Sequence, residues 1–316
     1  MRVLITGGAG FIGSNLSRHL LSRGHEVVIY DDLSSGLLSN IDSKVNFLQG
    51  TLVDLLFLKK IIKDIDCVVH LGARGSVSRS IKNPIQTHEI NSTGTLNVLE
   101  ACREYGVRYI FSSSSSVYGA NTALPKNEQM VLKPLTPYGA SKMAGEALSL
   151  AYANTYSLPV TTFRFFNIFG PWQRPDHEYA AVIPKWIWHA MENKEITVFG
   201  DGNQTRDFTS VYTVVNIITI SIEKLITHPE PINLAFGNRI SLNQIILELK
   251  KYFPNLNVTY KEPRQGDIKD SQNDPALIKY LFPEVIPKSF DEALFETKEW
   301  LTLNFKNIIN GPKMAT

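Results

Sequence analysis

Tyr138 and Lys142 stand four residues apart in the stretch "TPYGASKMAGE". On a helix that spacing puts both side chains on one face, within reach of the same ligand. A free phenol ionises near ~10, and a neighbouring ammonium should lower that value. Tyr138 would then act as a base towards a hydroxyl near neutral pH. By itself a Y-x-x-x-K pair reads better as a solvated helix face. The stretch "FSSSSSVYGA" (111–120) supplies a context, because Ser112 to Ser116 follow directly on the apolar pattern "RYIF". A polar run hard against a core strand is poorly placed to be a linker. It sits where open α/β sheets bind ligands, at the carboxyl end of a strand. The run offers hydroxyls and no acid.

A second group of residues could hold a nucleotide. "TGGAGFIG" sets Gly7, Gly10, Phe11, Ile12 and Gly13 between a strand pattern and a helix pattern. Small residues there allow a sharp turn, close helix–strand contact, and a pyrophosphate against bare backbone. The next strand ends in Asp31 and Asp32, about 20 residues on, where a carboxylate can hold ribose hydroxyls. The bland alternative is a structural turn followed by a surface aspartate. An acid at Asp31 disfavours a 2′-phosphate, so NAD is expected rather than NADP. Its positive nicotinamide ring would lower the Tyr138 phenol further.

These groups need a sheet to position them. "VLIT" (3–6), "EVVIYDD" (26–32), "VNFLQG" (45–50), "DCVVHLGA" (66–73), "RYIFSS" (108–113) and "LPVTTFRFFN" (158–167) read as strands. Between them lie helical patterns, among them one with Ile12, Leu16, Leu20 and Leu21 on one face and Gly24 as a stop. Another helix is expected at about 138–156. Apolar runs alternating with amphipathic helices indicate a Rossmann-type doubly wound parallel sheet, α/β in class. From about residue 167 the alternation loosens and prolines increase. The expected organisation is an NAD-binding domain over 1–166, with returning segments from about 207 to 239, and a smaller C-terminal α/β substrate domain over 167–316.

The glycine turn, Asp31, "NSTGT", "SSSSSVYG", "YGASK", "RFFNIFGP", "GDGNQTRDF" and "PRQGD" occur in one order over about residues 1 to 275. In this the chain resembles the extended short-chain dehydrogenases/reductases, and within them the UDP-sugar 4-epimerases. The resemblance implies that Ser114 stands beside Tyr138 and shuttles a proton with it, and that Lys142 contacts the nicotinamide ribose. It implies that Asn91 supports the site, and that Leu52 and Leu71 line the cofactor. Thr51 departs from the family pattern, which usually has an acid near the adenine. Relatives that dehydrate a sugar carry an acid at one or both of the positions of Ser115 and Ser116, because expelling water needs a proton donor and a base. Serines there imply oxidation and re-reduction of a sugar carbon without loss of water.

The same resemblance assigns the sugar nucleotide. Phe199 would stack on uracil, Arg206 and Arg264 would grip the diphosphate, Asp267 would face the uridine ribose, and Asn167 would lie beside hexose and diphosphate. Guanidinium forks suit phosphate oxygens. Gly75, Ser76, Ser116, Asn167, Gln173, Ala181 and Ser271 match a box of small or polar residues around the hexose. Ser271 is the most informative, since a bulky tyrosine there restricts an epimerase to glucose and galactose. The implied substrates are UDP-GlcNAc and UDP-GalNAc, with the non-acetylated pair as an extension. UDP-glucuronate epimerisation, dehydration or decarboxylation on the same scaffold, and a non-catalytic NAD sensor, are the rivals. Tyr212 and Thr213 replace the usual aspartates, with no function indicated by the sequence.

Bulk properties agree with such a protein. The 316 residues carry a formal charge of +2, too little to imply a nucleic-acid or membrane partner. No apolar run reaches the ~18 residues of a membrane span, "MRVLITGG" reads as a strand rather than a leader, and a cytoplasmic protein is expected. Cys67 and Cys102 read as reduced core residues. No metal site is expected. By analogy with the family a homodimer is expected, paired through helices near 84–105 and 138–156.

Overall fold

The computed structural model of the protein describes residues 1–176, 180–263 and 270–310. Six strands, β1 (Arg2–Thr6), β2 (Glu26–Asp31), β3 (Asn46–Gln49), β4 (Cys67–His70), β5 (Arg108–Ser114) and β6 (Val160–Phe165), join a seventh at Ile232–Leu234. All pair in parallel, in the spatial order 232–234, β6, β5, β4, β1, β2, β3. This is the expected Rossmann-type sheet. The order reverses between β1 and β4, so the turns leaving those two strands open on the crevice where such sheets take ligands. Every residue of β4, β5 and β6 is buried, as befits strands covered on both faces.

The flanking helices are α1 (Phe11–Ser22), α2 (Leu55–Ile62), α3 (Val77–Lys82), α4 (Pro84–His88), α5 (Gly94–Tyr105) and α6 (Pro137–Tyr156). In α1, Leu16 and Leu20 are buried as the spacing predicts, whereas Ile12 and Leu21 are only half-buried. Gly13, Ser14 and Ser17 complete the buried face and let the helix lie close to the sheet. Helix α6 starts cleanly: Pro137 occupies its first turn and the Thr136 hydroxyl accepts from the Gly139 N–H. It then lies tight on β5, because a Cβ on Gly145 would stand 2.6 Å from the Phe111 ring. Leu4, Val28, Val68, Leu99, Tyr109 and Phe111 share one core. Cys102 is part of this core and Cys67 is buried in β4; both are free, and burial raises both thiol pKa values.

The chain divides into two compact units. One comprises Met1–Thr122, Glu128–Phe165 and Val215–Leu234; the other comprises Ala123–Asn127, Phe166–Val214 and the described residues from Ala235 onward. The second unit contains β7 (Asn167–Phe169), β8 (Ile196–Phe199), β9 (Thr205–Arg206), β10 (Phe208–Ser210), helix α7 (Val182–Met191) and the long helix Phe290–Asn310. Its core gathers Phe169, Ile183, Trp186, Phe208, Leu294 and Leu301. The strand pattern over 158–167 ends earlier than expected. It stops at Phe165, and Asn167 opens β7, which pairs in parallel with β10 instead. No helix among the described residues is long and apolar enough to cross a membrane. Among them no cluster of His, Cys, Asp or Glu could hold a metal ion.

Candidate active site

The turn after β1 is built from glycines that the fold itself demands at two places. Gly7 has φ +68°, and a Cβ on it would stand 2.7 Å from Gly72; one on Gly13 would stand 2.5 Å from Gly8. Gly10 is different. Its backbone (φ −80°, ψ −178°) suits any residue, and a Cβ would meet only the Gly7 carbonyl, at 3.3 Å. Nothing among the described residues needs that position bare, whereas a ligand lying on the turn would. No side chain caps α1, so the amides of its first turn are offered to an anion. Asp31, at the end of β2, is 8% exposed. Its carboxylate accepts from the Ala9 and Leu33 N–H groups at 3.0 and 2.8 Å. Burial raises its pKa and those two donors pull it back. An acceptor-only group fixed beside a glycine turn suits ribose hydroxyls, and the residues present fit NAD. Gly10→Val is therefore expected to leave the fold intact while NAD retained through purification falls about tenfold, read by absorbance after acid release.

The rest of the expected cofactor wall is held from outside. The Tyr30 hydroxyl donates to the Thr51 carbonyl at 2.8 Å and the Asn97 amide to the Leu52 carbonyl at 3.0 Å. Asp32 caps its own turn, accepting from the Ser34 N–H. The half-buried Leu71 donates its N–H to the Thr6 carbonyl. Asn91 lies in a π-helical turn, Glu89–Thr93, that precedes α5. Its side chain accepts from the Arg74 N–H at 2.7 Å and donates to the Ser141 hydroxyl at 3.0 Å. It thus ties the loop after β4 to α6, one residue before Lys142.

A residue that sequence reasoning passed over orders this region. His70, buried at the end of β4, lies between Thr6 (2.6 Å) and Thr95 (3.0 Å). Thr95 donates to the Asn91 carbonyl, so its oxygen must accept from Nε2–H, and the bare Nδ1 accepts from Thr6. Thr6 in turn accepts from the Gly72 N–H. Burial, with the nearby Lys142, depresses the His70 pKa to about 3, consistent with this neutral ring.

The five serines divide by role. Ser112 and Ser113 belong to β5 and are consumed structurally: the first donates to the His70 carbonyl, the second to Glu146 Oε2 at 2.7 Å. Ser114 ends the strand, hydrogen-bonds the Tyr138 hydroxyl, and caps the short turn Ser115–Val117 by accepting from the Ser116 N–H. Ser115 and Ser116 are the half-exposed pair. Gly139 permits this meeting, since a Cβ on it would stand 2.7 Å from the Ser116 carbonyl.

The electrostatics differ from the expectation for Tyr138. Its pKa is raised, not lowered, because burial outweighs the Ser114 hydrogen bond. Lys142 does not act as a standing charge beside it. The lysine is 4% exposed and donates from Nζ to the Ser112 carbonyl at 2.7 Å. Burial depresses its pKa to about 7. An unfolded lysine keeps its proton to about 10.5, so this group makes folding more favourable as pH rises from about 7 to 10.5. Sequence spacing places the two residues on one helix face but says nothing of the dielectric there.

The loop after β4 carries Gly75, exposed and unobstructed by neighbours, and Ser76, whose hydroxyl caps α3 by accepting from the Arg79 N–H. In the second unit, Asn167 pairs with the Asp207 carbonyl through its N–H at 3.2 Å. Gln173 donates to the Ile168 carbonyl at 3.3 Å, while its buried Oε1 has no partner among the described residues. Ala181 precedes α7, which has no side-chain cap. Phe199 ends β8, half-buried, with its carbonyl taken by the Gln204 amide. Arg206 is half-buried and donates to the Thr205 carbonyl. Ser271 donates its N–H to the same carbonyl at 3.1 Å. Arg264 and Asp267 lie outside the described residues. Tyr212 and Thr213 receive a structural account: Thr213 accepts from the Lys288 N–H, and the Lys288 ammonium lies 4.6 Å above the Tyr212 ring.

Residues 3–235 match the NAD dependent epimerase/dehydratase family. A putative UDP-glucose 4-epimerase of Methanocaldococcus jannaschii is 36% identical over 84% of this chain and 87% of its own. A UDP-glucuronate 4-epimerase of Thermodesulfobacterium geofontis is 34% identical over 96% and 97%. The solved UDP-N-acetylglucosamine 4-epimerase of Methanobrevibacter ruminantium, in complex with UDP-N-acetylmuramic acid, superposes with a TM-score of 0.91 at 33% identity, covering 96% of this chain and 98% of that one. With a turn and a carboxylate that fit the dinucleotide, the chain belongs to the NAD dependent epimerase/dehydratase family, as an NAD-dependent enzyme of the epimerase type.

Proposed function

We propose that the protein inverts C4 of a UDP-hexose, with UDP-GlcNAc and UDP-GalNAc as its principal pair and UDP-glucose and UDP-galactose as smaller substrates. The observation that carries this reading is the Ser114–Tyr138 hydrogen bond at the end of β5, beside two half-exposed serines where a dehydrating site needs acids. Bound NAD supplies reversible hydride chemistry at the sugar carbon. Tyr138 takes the proton of the C4 hydroxyl and later returns it to the C4 oxygen in the opposite configuration. Ser114 hydrogen-bonds that oxygen in both states. Lys142, buried under the serine run, orients the ribose beside Tyr138. Phe199, Arg206, Arg264 and Asp267 hold the nucleotide end, so the keto sugar can turn over while its remote part stays bound.

The acetamido reading rests on Ser271, Gly75 and Ala181, which bring little side-chain volume, and on Gln173 Oε1, which has no partner among the described residues and is an acceptor suited to an amide or hydroxyl. Incubating the enzyme with UDP-GlcNAc, UDP-glucose and UDP-glucuronate separately and following the anomeric NMR signals tests it. Appearance of UDP-GalNAc is the expected result. Turnover of UDP-glucose alone would overturn the acetamido assignment, and turnover of the uronate alone would transfer the substrate to that class. Loss of water from any of them would replace epimerisation with dehydration. Pairing of two copies through α4, α5 and α6 belongs to the same reading and is supported by Ile85 of α4, 81% exposed; light scattering of the eluted protein measures it.

A further inference from the structure

Asp207 adjoins a predicted substrate residue, yet it is completely buried in the second unit. Its carboxylate gathers backbone N–H groups: Gly237 and Asn273 donate to Oδ2 at 2.9 Å each, and Asn238 to Oδ1 at 3.2 Å. The Phe236 N–H adds a further bond. Phe236, Gly237 and Asn238 are consecutive, and Gly237 has φ +84°. Successive N–H groups in that conformation form an anion-binding concavity, here filled by an internal carboxylate. Burial pushes its pKa up to about 6, against the pull of the four donors.

The segments joined at this carboxylate carry residues assigned to the substrate. The Asp207 carbonyl accepts from Asn167, Arg206 precedes it, and Asn273 lies two residues after Ser271. Ser271 is itself paired to Thr205, and Thr205 donates through both N–H and hydroxyl to Asp270. Lys126 pins the same stretch from the other side, donating to the Gln272 carbonyl and accepting from the Asp274 N–H. Only an acceptor-only group serves four donors. An amide would set its own NH₂ against some of them.

We propose that Asp207 is the positioning residue for the nucleotide end of the substrate: by joining the backbone segments at 236–238 and 273 to its own segment, its carboxylate holds that segment, with Arg206 and the Asn167 it pairs to, and Ser271 in the arrangement that grips the UDP moiety. The inference rests on the UDP-sugar reading above. It differs from a plain structural role in its kinetic signature. Loss of a general fold determinant reduces the active fraction, and so lowers apparent kcat at constant KM. Loss of this clamp loosens the remote grip, which raises KM and the Kd of UDP while NAD content and saturated turnover persist.

The test is Asp207→Asn in the NAD-loaded enzyme, with UDP titrated by calorimetry and UDP-GlcNAc kinetics measured in parallel. We expect Kd and KM to rise about tenfold or more with kcat within about threefold of wild type. Gly237→Ala perturbs the same concavity from the donor side, through a strained φ and a Cβ 3.2 Å from the Asn273 carbonyl. It should shift KM in the same direction by a smaller factor, and it decides the matter if Asp207→Asn does not fold. Unchanged UDP affinity in a folded variant, or a fall in kcat at constant KM, overturns the clamp alone. Absence of UDP binding by the wild-type enzyme overturns the substrate reading, and the clamp falls with it.

Discussion

Replacing Tyr138 with phenylalanine is expected to leave a folded, NAD-loaded enzyme whose turnover falls about 10³-fold, within the range for losing a positioned proton carrier. The substitution removes one oxygen. That oxygen's described partner is Ser114, which keeps its bond to the Ser116 N–H, so the end of β5 should persist. Unfolding curves should shift by about 1 kcal/mol or less, the scale of one net hydrogen bond. The activity loss is far larger because no other group beside Tyr138 among the described residues is free for the work. Lys142 is turned to the Ser112 carbonyl, and Glu146 is committed to Arg164. Near-normal turnover in the variant, measured by anomeric NMR, would remove Tyr138 from the mechanism. The raised phenol pKa sharpens the point: burial alone makes a poor base, so the protein without NAD should show no phenolate signal by ultraviolet difference spectroscopy at neutral pH.

Much of this was legible in the sequence, and the failures have physical causes. Apolar runs alternating with helix patterns reveal a parallel sheet because burial on both faces leaves a continuous mark on the chain. The glycine turn was readable because backbone sterics demand glycine at Gly7 and Gly13. Spacing showed that Tyr138 and Lys142 share a face. It could not show that Lys142 is buried deeply enough to approach neutrality, since desolvation depends on the whole fold. The break at Phe166 was hidden for a related reason: "TTFRFFNIF" continues the apolar run while the strand changes partner. His70, Glu146 and Asp207 escaped notice because each is an ordinary polar residue in sequence. Only enclosure, and the donors around it, give each one its role.

Removing one partner of the buried Glu146–Arg164 pair should carry the largest stability cost in the molecule. Both side chains are 4% exposed, and the guanidinium meets the carboxylate at 2.6 and 3.0 Å. Arg164 also donates to the Tyr118 hydroxyl at 2.8 Å and to the Glu128 carbonyl, and Tyr118 donates onward to Asn233. Ser113 leans on Glu146 from the serine run. Arg164→Met leaves an uncompensated buried carboxylate and should cost about 3–5 kcal/mol in urea unfolding. Adding Glu146→Leu removes that charge and should recover most of the loss, short of about 1–3 kcal/mol for the orphaned Ser113 hydroxyl. The cycle also separates two meanings of this acid, which is hydrogen-bonded to Ser113, the neighbour of Ser114. Were Glu146 a proton donor for sugar chemistry, Glu146→Leu with Arg164→Met would abolish turnover however well it folded. As a structural anion under the site, its removal should leave the folded double variant within about tenfold of wild-type kcat, and that result would assign all proton traffic at the sugar to Ser114 and Tyr138.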